Sequence, residues 1–253
     1  MSADWLAPVR ATRRWSAPGG TWSYDTWGYH GRPVVLLHPV LFDRTMWWPI
    51  AADLRTEGTM IAVDLPGHGT SPGRGRYDPE VLVEDLAHLL HGLGMTRAPV
   101  VVGHGSAAGL AALFSVRFAA HALVTVDAVD EFRFPAPIGV DHVWRYLASM
   151  PADPLPPPYR GLVAATPDPA LLSGYVGCIT AGRPALTEAC PEEESLPLMC
   201  QRLEVRSQRP PGRSRAPFTA PARPWRSVVY QVPGRFAHLA DVPRFVSDLR
   251  SVL

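Results

Sequence analysis

Lysine and asparagine are absent from this chain of 253 residues, and all 24 of its basic side chains are arginines. That bias speaks of codon usage more than of physics, whereas the other shortages exclude whole classes of function. Neither sign of charge is in excess: 24 basic against 23 acidic residues leave a net charge of +1, with no long run of either. A nucleic-acid backbone or an anionic membrane surface is therefore not an expected partner. No apolar run approaches the ~20 residues that span a bilayer, and Met1 to Pro8 has no stretch of signal-peptide length, so a soluble cytoplasmic protein is expected. Cysteine is scarce. Cys178, Cys190 and Cys200 are odd in number, lack C-x-x-C spacing, and read as reduced thiols. No motif calls for a metal, nucleotide or flavin, so no cofactor is expected; a small-molecule partner is, and a homodimer stays open.

What is present suffices for one substantial core, since 47% of the residues are apolar. Thr21 to Gly28 alternates aromatic and polar residues as a hairpin strand does. Val34 to Leu37, Met60 to Val63, Val100 to Val102 and Leu123 to Val126 are continuous apolar runs suited to buried parallel strands. A helix-like stretch covers Met46 to Leu54. Asp78 and Pro79 offer an N-cap and an N1 proline to a helix whose Leu82, Leu86, Leu89, Leu90 and Leu93 recur at helical spacing. Leu203 to Ser207 and Ser227 to Val232 are the last candidate strands. A loop from Pro233 to Asp241 follows, then a terminal helix with Phe245, Leu249 and Val252 on one face. Between Glu131 and Leu198 short amphipathic pieces are broken by prolines, which reads as a cap. The expected division is a core of 1–130 and 199–253 with a cap of 131–198. Alternating strands and helices predict a parallel α/β sheet with its ligand site beyond the carboxyl ends of the strands, where His38, Gly105 and Asp127 fall.

Three segments in this order resemble the α/β-hydrolase superfamily over roughly the whole chain. They are Leu36-Leu37-His38-Pro39 with Trp47 behind it, Asp64-Leu65-Pro66-Gly67-His68-Gly69-Thr70-Ser71, and Gly103-His104-Gly105-Ser106 after a valine-rich strand. The resemblance implies an α/β-hydrolase fold: a mostly parallel eight-stranded sheet flanked by helices, a helical cap inserted after the sixth strand, and a pocket between cap and sheet. The family's nucleophile elbow, G-x-S-x-G, exposes a serine on a strained strand-to-helix turn. Here Gly105 stands at the serine's position and Ser106 one residue later.

The family's triad runs serine, acid, histidine, and all three stations are disturbed. Ser106 serves as nucleophile only if a one-residue bulge brings it to the apex; otherwise it is a polar first-turn residue. The acid usual after the seventh strand is missing from Arg206-Ser207-Gln208-Arg209-Pro210, and Asp127, after the sixth, is the substitute some relatives use. It competes with Asp130 and Glu131, and with a plain turn-capping role. His238 follows the last strand's Pro233-Gly234 one or two residues late, as a displaced catalytic imidazole or a structural one. At the oxyanion loop His38 fixes the backbone and the Val40 N–H points at developing charge, while Pro39 cannot donate. His104 packs beside the elbow or joins the chemistry, and His68 tethers a loop. Asp43 and Arg44 read as a solvated ion pair.

Three functions follow. One is an enzyme without an ester intermediate, in which His238, Asp127 and His104 do acid/base work of lyase, cyclase or isomerase type on a mostly apolar molecule, such as an aromatic or polyketide-like metabolite. Another is an ester, thioester or lactone hydrolase using Ser106, Asp127 and His238. The third is a non-catalytic small-ligand binder. Trp47, Trp144, Tyr146, Tyr159 and Tyr175 are candidate substrate-binding walls.

Overall fold

The computed structural model describes residues 10–40, 42–128, 169–181, 198–208 and 225–253. Eight strands form one sheet: β1 (Ala11–Ala17), β2 (Gly20–Trp27), β3 (Arg32–Leu37), β4 (Gly58–Asp64), β5 (Val100–His104), β6 (Ala122–Val126), β7 (Gln201–Arg206) and β8 (Trp225–Val229). Their spatial order is β1-β2-β4-β3-β5-β6-β7-β8. β1 and β2 form an antiparallel hairpin laid antiparallel on β4, and every other pairing is parallel. The mostly parallel α/β sheet read from the sequence is thus present.

The central strands are apolar because helices cover both faces. Val34 to Leu37, Met60 to Val63, Val100 to Val102 and Leu123, Val124 and Val126 are all buried. The helices are α1 (Trp48–Leu54), α2 (Pro79–Gly92), α3 (Ala108–Arg117), α4 (Pro169–Ala181), α5 (Ala237–Ala240) and α6 (Val242–Arg250). α2 begins as its sequence predicts: the Asp78 carboxylate accepts the Glu80 amide at 3.0 Å, Pro79 opens the first turn, and Leu82, Leu86, Leu89 and Leu90 face the core.

Four local differences from the sequence reading have simple causes. β1 was not foreseen, since this arginine-rich edge strand shows solvent most of its side chains and carries no apolar run. The Met46–Leu54 stretch splits into a 3-10 helix, Arg44–Trp47, and α1, with Pro49 in the first turn of α1. β8 starts two residues earlier than expected and is regular only to Val229; Gln231 then turns at φ +60°, while the Tyr230 and Val232 amides still donate to the Arg206 and Ser207 carbonyls. The loop before the terminal helix contains the single turn α5, which carries His238.

Glycine permits two close approaches here. A Cβ at Gly103 would lie 2.6 Å from the Ala107 carbonyl oxygen, and one at Gly109 would lie 2.6 Å from the carbonyl oxygens of Cys178 and Ile179. The first lets α3 fold back onto β5, and the second seats α4 on the start of α3.

Candidate functional site

β5 ends in extended geometry at His104, and the chain turns at Gly105, φ +55°, into a 3-10 turn (Gly105–Ala107) leading to α3. The left-handed apex therefore bears no side chain. Ser106 is buried, and its hydroxyl accepts the Val40 amide proton at 2.8 Å. Val40 lies in the loop after β3, so the Ser106 oxygen sits on the amide that the sequence reading expects to face developing negative charge.

His38 clamps that loop. Its Nε2 accepts the Leu65 amide at 2.9 Å, which leaves Nδ1–H to donate to the Pro39 carbonyl at 2.8 Å. Burial holds its imidazole down at about 4. His68 packs edge-on against His38 with ring centroids 5.1 Å apart, contacts the Pro66 carbonyl through Nδ1 at 3.2 Å, and is lowered to about 3 by burial.

His238 is fully buried, and among the described residues neither of its ring nitrogens has a hydrogen-bond partner. Apolar and aromatic neighbours hold it instead: Trp47 at 4.5 Å between ring centroids, His104 at 4.7 Å and Phe245 at 5.8 Å. Burial first, and the neighbouring His104 second, push its pKa well below the ordinary imidazole value. His104 donates Nε2–H to the Arg235 carbonyl at 2.7 Å, pinning the loop before α5, and burial lowers it to about 4. Both rings are neutral at pH 7.

Asp127 follows β6 at φ +43°. Its carboxylate accepts from the Ser207 amide at 2.6 Å, the Ser207 hydroxyl at 2.7 Å and the Ala237 amide at 3.1 Å. Burial nevertheless raises its pKa. The carboxylate thus grips the backbone beside His238 instead of its ring, and no hydrogen bond joins any two of Ser106, Asp127 and His238 among the described residues.

Arg44 corrects an expectation. It is not a solvated partner of Asp43 but a buried bridge: its Nε lies 3.1 Å from Asp25, its Nη1 pairs with Asp64, and its amide donates to Asp64 at 2.9 Å. Asp43 instead caps the 3-10 turn through the Thr45 amide at 2.9 Å. The sequence reading also passed over Ser207, Phe42 and Phe236. Ser207 occupies the station immediately after β7 where the acid was sought, and its position there was the available signal. Phe42 and Phe236 pack edge to face at 5.4 Å between centroids.

Of the candidate walls, Trp47 lies in the stack around His238. Tyr175, on α4, is buried against His68 and Tyr77 and donates its hydroxyl to the Pro66 carbonyl at 2.7 Å. Trp144, Tyr146 and Tyr159 lie outside the described residues, as does the segment read as a cap, 131–198, other than 169–181 and residue 198. A cavity of about 700 Å³ opens between the β4–α2 loop and α4, lined by Gly67, Arg74, Tyr77, Asp78, Leu171 and Gly174. Burial pushes the Cys178 thiol up to about 12, which makes it unreactive near neutrality. No described helix is long and apolar enough to cross a membrane.

Residues 34–249 match the model of the alpha/beta hydrolase family. The chain belongs to that family. Solved structures carry the same fold. An E-2-(acetamidomethylene)succinate hydrolase superposes with a TM-score of 0.70 at 16% identity, covering 96% of this chain and 99% of that one. A thermophilic esterase from Thermogutta terrifontis gives 0.69 at 21% identity, covering 95% and 97%. In sequence, the chain is 29% identical over 154 residues to the magnesium-chelatase 30 kDa subunit of Rhodobacter capsulatus, a match over 60% of this chain and 54% of that protein. It thus spans about half the length of that relative. What marks this site among the described residues is a glycine apex, a Val40 amide hydrogen-bonded to the protein's own Ser106, and an imidazole with no carboxylate hydrogen-bonded to it.

Proposed function

We propose that the protein binds a small, mostly apolar molecule non-covalently beside the elbow, on an α/β-hydrolase scaffold that no longer performs acyl transfer. The observation that carries this reading is the apex, where Gly105 replaces the nucleophile while the adjacent Ser106 hydroxyl is tied to the Val40 amide at 2.8 Å. Losing one oxyanion donor slows acyl transfer by roughly 10²–10³, whereas without a nucleophile no acyl-enzyme forms. The surroundings support binding of a neutral ligand: Trp47, Phe42 and Phe236 are apolar, and His104 and His238 are uncharged. The name of the Rhodobacter capsulatus relative, a subunit of an enzyme, supports an accessory role. The reading includes a cytoplasmic location.

A second reading rests on one specific observation. Among the described residues both nitrogens of His238 lack partners, which leaves a lone pair free to take a proton from a bound molecule without a covalent step, as a lyase, cyclase or isomerase requires. The Ser106–Asp127–His238 hydrolase reading has no corresponding support from hydrogen bonding.

Mass spectrometry separates the three. The purified protein is incubated with a fluorophosphonate, with p-nitrophenyl esters and with a panel of aromatic ketones. The binding reading expects no adduct on Ser106, no ester turnover above buffer, and bound ketone recovered unchanged. Conversion of a ketone that disappears in His238→Ala would replace it with proton-transfer catalysis, and a Ser106 adduct would restore acyl transfer.

A further inference from the structure

We infer that the cavity between the β4–α2 loop and α4 is a second binding site, for a small amphipathic monocarboxylate. Arg76 and Tyr77 receive the carboxylate, and Leu171 and the Tyr77 ring face the apolar body. The site is separate from the elbow. Gly105, Ser106 and His238 do not line it, and the rings of Tyr175 and His68 stand in series between Tyr77 and His38, with successive centroids 4.7, 5.2 and 5.1 Å apart.

One wall of the cavity is the run from Gly73 to Asp78, and it is fixed from behind. The buried Arg74 guanidinium lies 2.6 Å from Asp85 and 5.6 Å from the centroid of the Trp22 ring. Asp85 also accepts the Gly19 amide at 2.9 Å, so the turn between β1 and β2 holds the loop in place. Tyr77 is set by its stack on Tyr175 and by accepting the Arg74 amide at 3.1 Å. A wall held in this way loses little freedom when a ligand arrives.

The unused donors of this wall define the ligand. Among the described residues the Tyr77 hydroxyl proton has no acceptor, and the amides of Gly73, Gly75 and Arg76 have no hydrogen-bond partner. Arg76 makes one ion pair, to Asp78 at 3.3 Å, and its side chain is 85% exposed. A planar guanidinium beside a phenol matches a carboxylate. A single negative charge fits best, because Asp78 already shares Arg76 and would repel a dianion such as a phosphate monoester. A cation would meet both Arg74 and Arg76. Leu171, Pro79 and the Tyr77 ring supply apolar surface beside the charged group, and about 700 Å³ is room enough for a small organic acid.

The test compares 2-naphthoate with 2-naphthamide, equal in shape but neutral, by equilibrium dialysis against the full chain at low and high salt. The wild-type protein should prefer the acid, and the preference should shrink as salt rises. Arg76→Gln, at an exposed side chain, should cut the acid-to-amide affinity ratio by about three- to tenfold. Gly75→Leu should abolish binding of both probes. A Cβ at Gly75 meets nothing within 4 Å, so the added side chain fills cavity space without displacing protein atoms. Equal affinities in the wild type, no binding of the acid, a preference kept by Arg76→Gln, or binding kept by Gly75→Leu each overturn the proposal. A ketone bound beside the elbow should be indifferent to Gly75→Leu, so the two sites stand or fall independently.

Discussion

Asp127 accepts the amide proton of Ala237 at 3.1 Å, one residue before His238, while the His238 ring itself receives nothing from it. The carboxylate instead accepts from two backbone amides and the Ser207 hydroxyl. Together with Ser207 it joins the ends of β6 and β7 to the turn that carries His238.

Removing that carboxylate should therefore damage stability. Asp127→Ala strands three buried donors and is expected to cost about 3 kcal/mol. Asp127→Asn keeps acceptor oxygen and tolerates the left-handed backbone, so it should cost less. Urea unfolding followed by tryptophan fluorescence measures both; an Asp127→Ala loss below half a kcal/mol would contradict the anchoring role.

Gly105→Ser restores a hydroxyl at the apex, yet hydrolase activity should stay at background, because among the described residues no carboxylate orients His238 and the Val40 amide is already engaged. A non-glycine residue at φ +55° is expected to lower stability by about 1–3 kcal/mol. A burst of p-nitrophenol from p-nitrophenyl acetate would show that the other two stations are intact after all.

Arg44 should be among the most sensitive positions outside the core. Arg44→Met leaves Asp25 and Asp64 buried without their shared cation, and breaking a buried pair in this way costs about 3–5 kcal/mol. Calorimetry should show a large drop in melting temperature, or expression should fail. A solvated arginine would give almost no change.

Acid should destabilise the fold over a defined window. His38, His68 and His104 are depressed by burial to about 4, 3 and 4, and His238 is depressed as well. Below pH 6.5 the unfolded chain therefore binds protons that the folded one refuses. Stability is full above that value and falls as the pH drops toward 4, each imidazole contributing about 1.4 kcal/mol per pH unit while it titrates. Asp127, raised in the folded state, acts in the opposite sense and offsets part of the loss. Denaturation midpoints between pH 8 and 4 test this; a flat profile would mean these rings are not held neutral.

Much of the architecture was readable locally. The runs Val34 to Leu37 and Val100 to Val102 had to lie inside a sheet, and Asp78-Pro79 had to open a helix, because periodicity and capping are properties of neighbours along the chain. Gly105 was readable for the same reason: the ungapped match to the elbow placed a glycine where φ is positive. β1 and Arg44 were not. An exposed arginine-rich strand has no apolar period, and a buried arginine looks like any other until two carboxylates distant in sequence close around it.

By itself the chain's order of residues determined the α/β sheet, the helices that follow β3, β4 and β5, and the absence of a side chain at the apex, since each is written within a few consecutive positions. Only the folded arrangement decided where the polar groups turned: Ser106 to Val40, Asp127 to Ser207 and Ala237, His104 to Arg235, and His238 to aromatic rings. Each hydrogen bond joins segments 66 to 131 residues apart. Its direction depends on angles and distances set by the packing of whole strands and helices, which a reading along the chain does not contain.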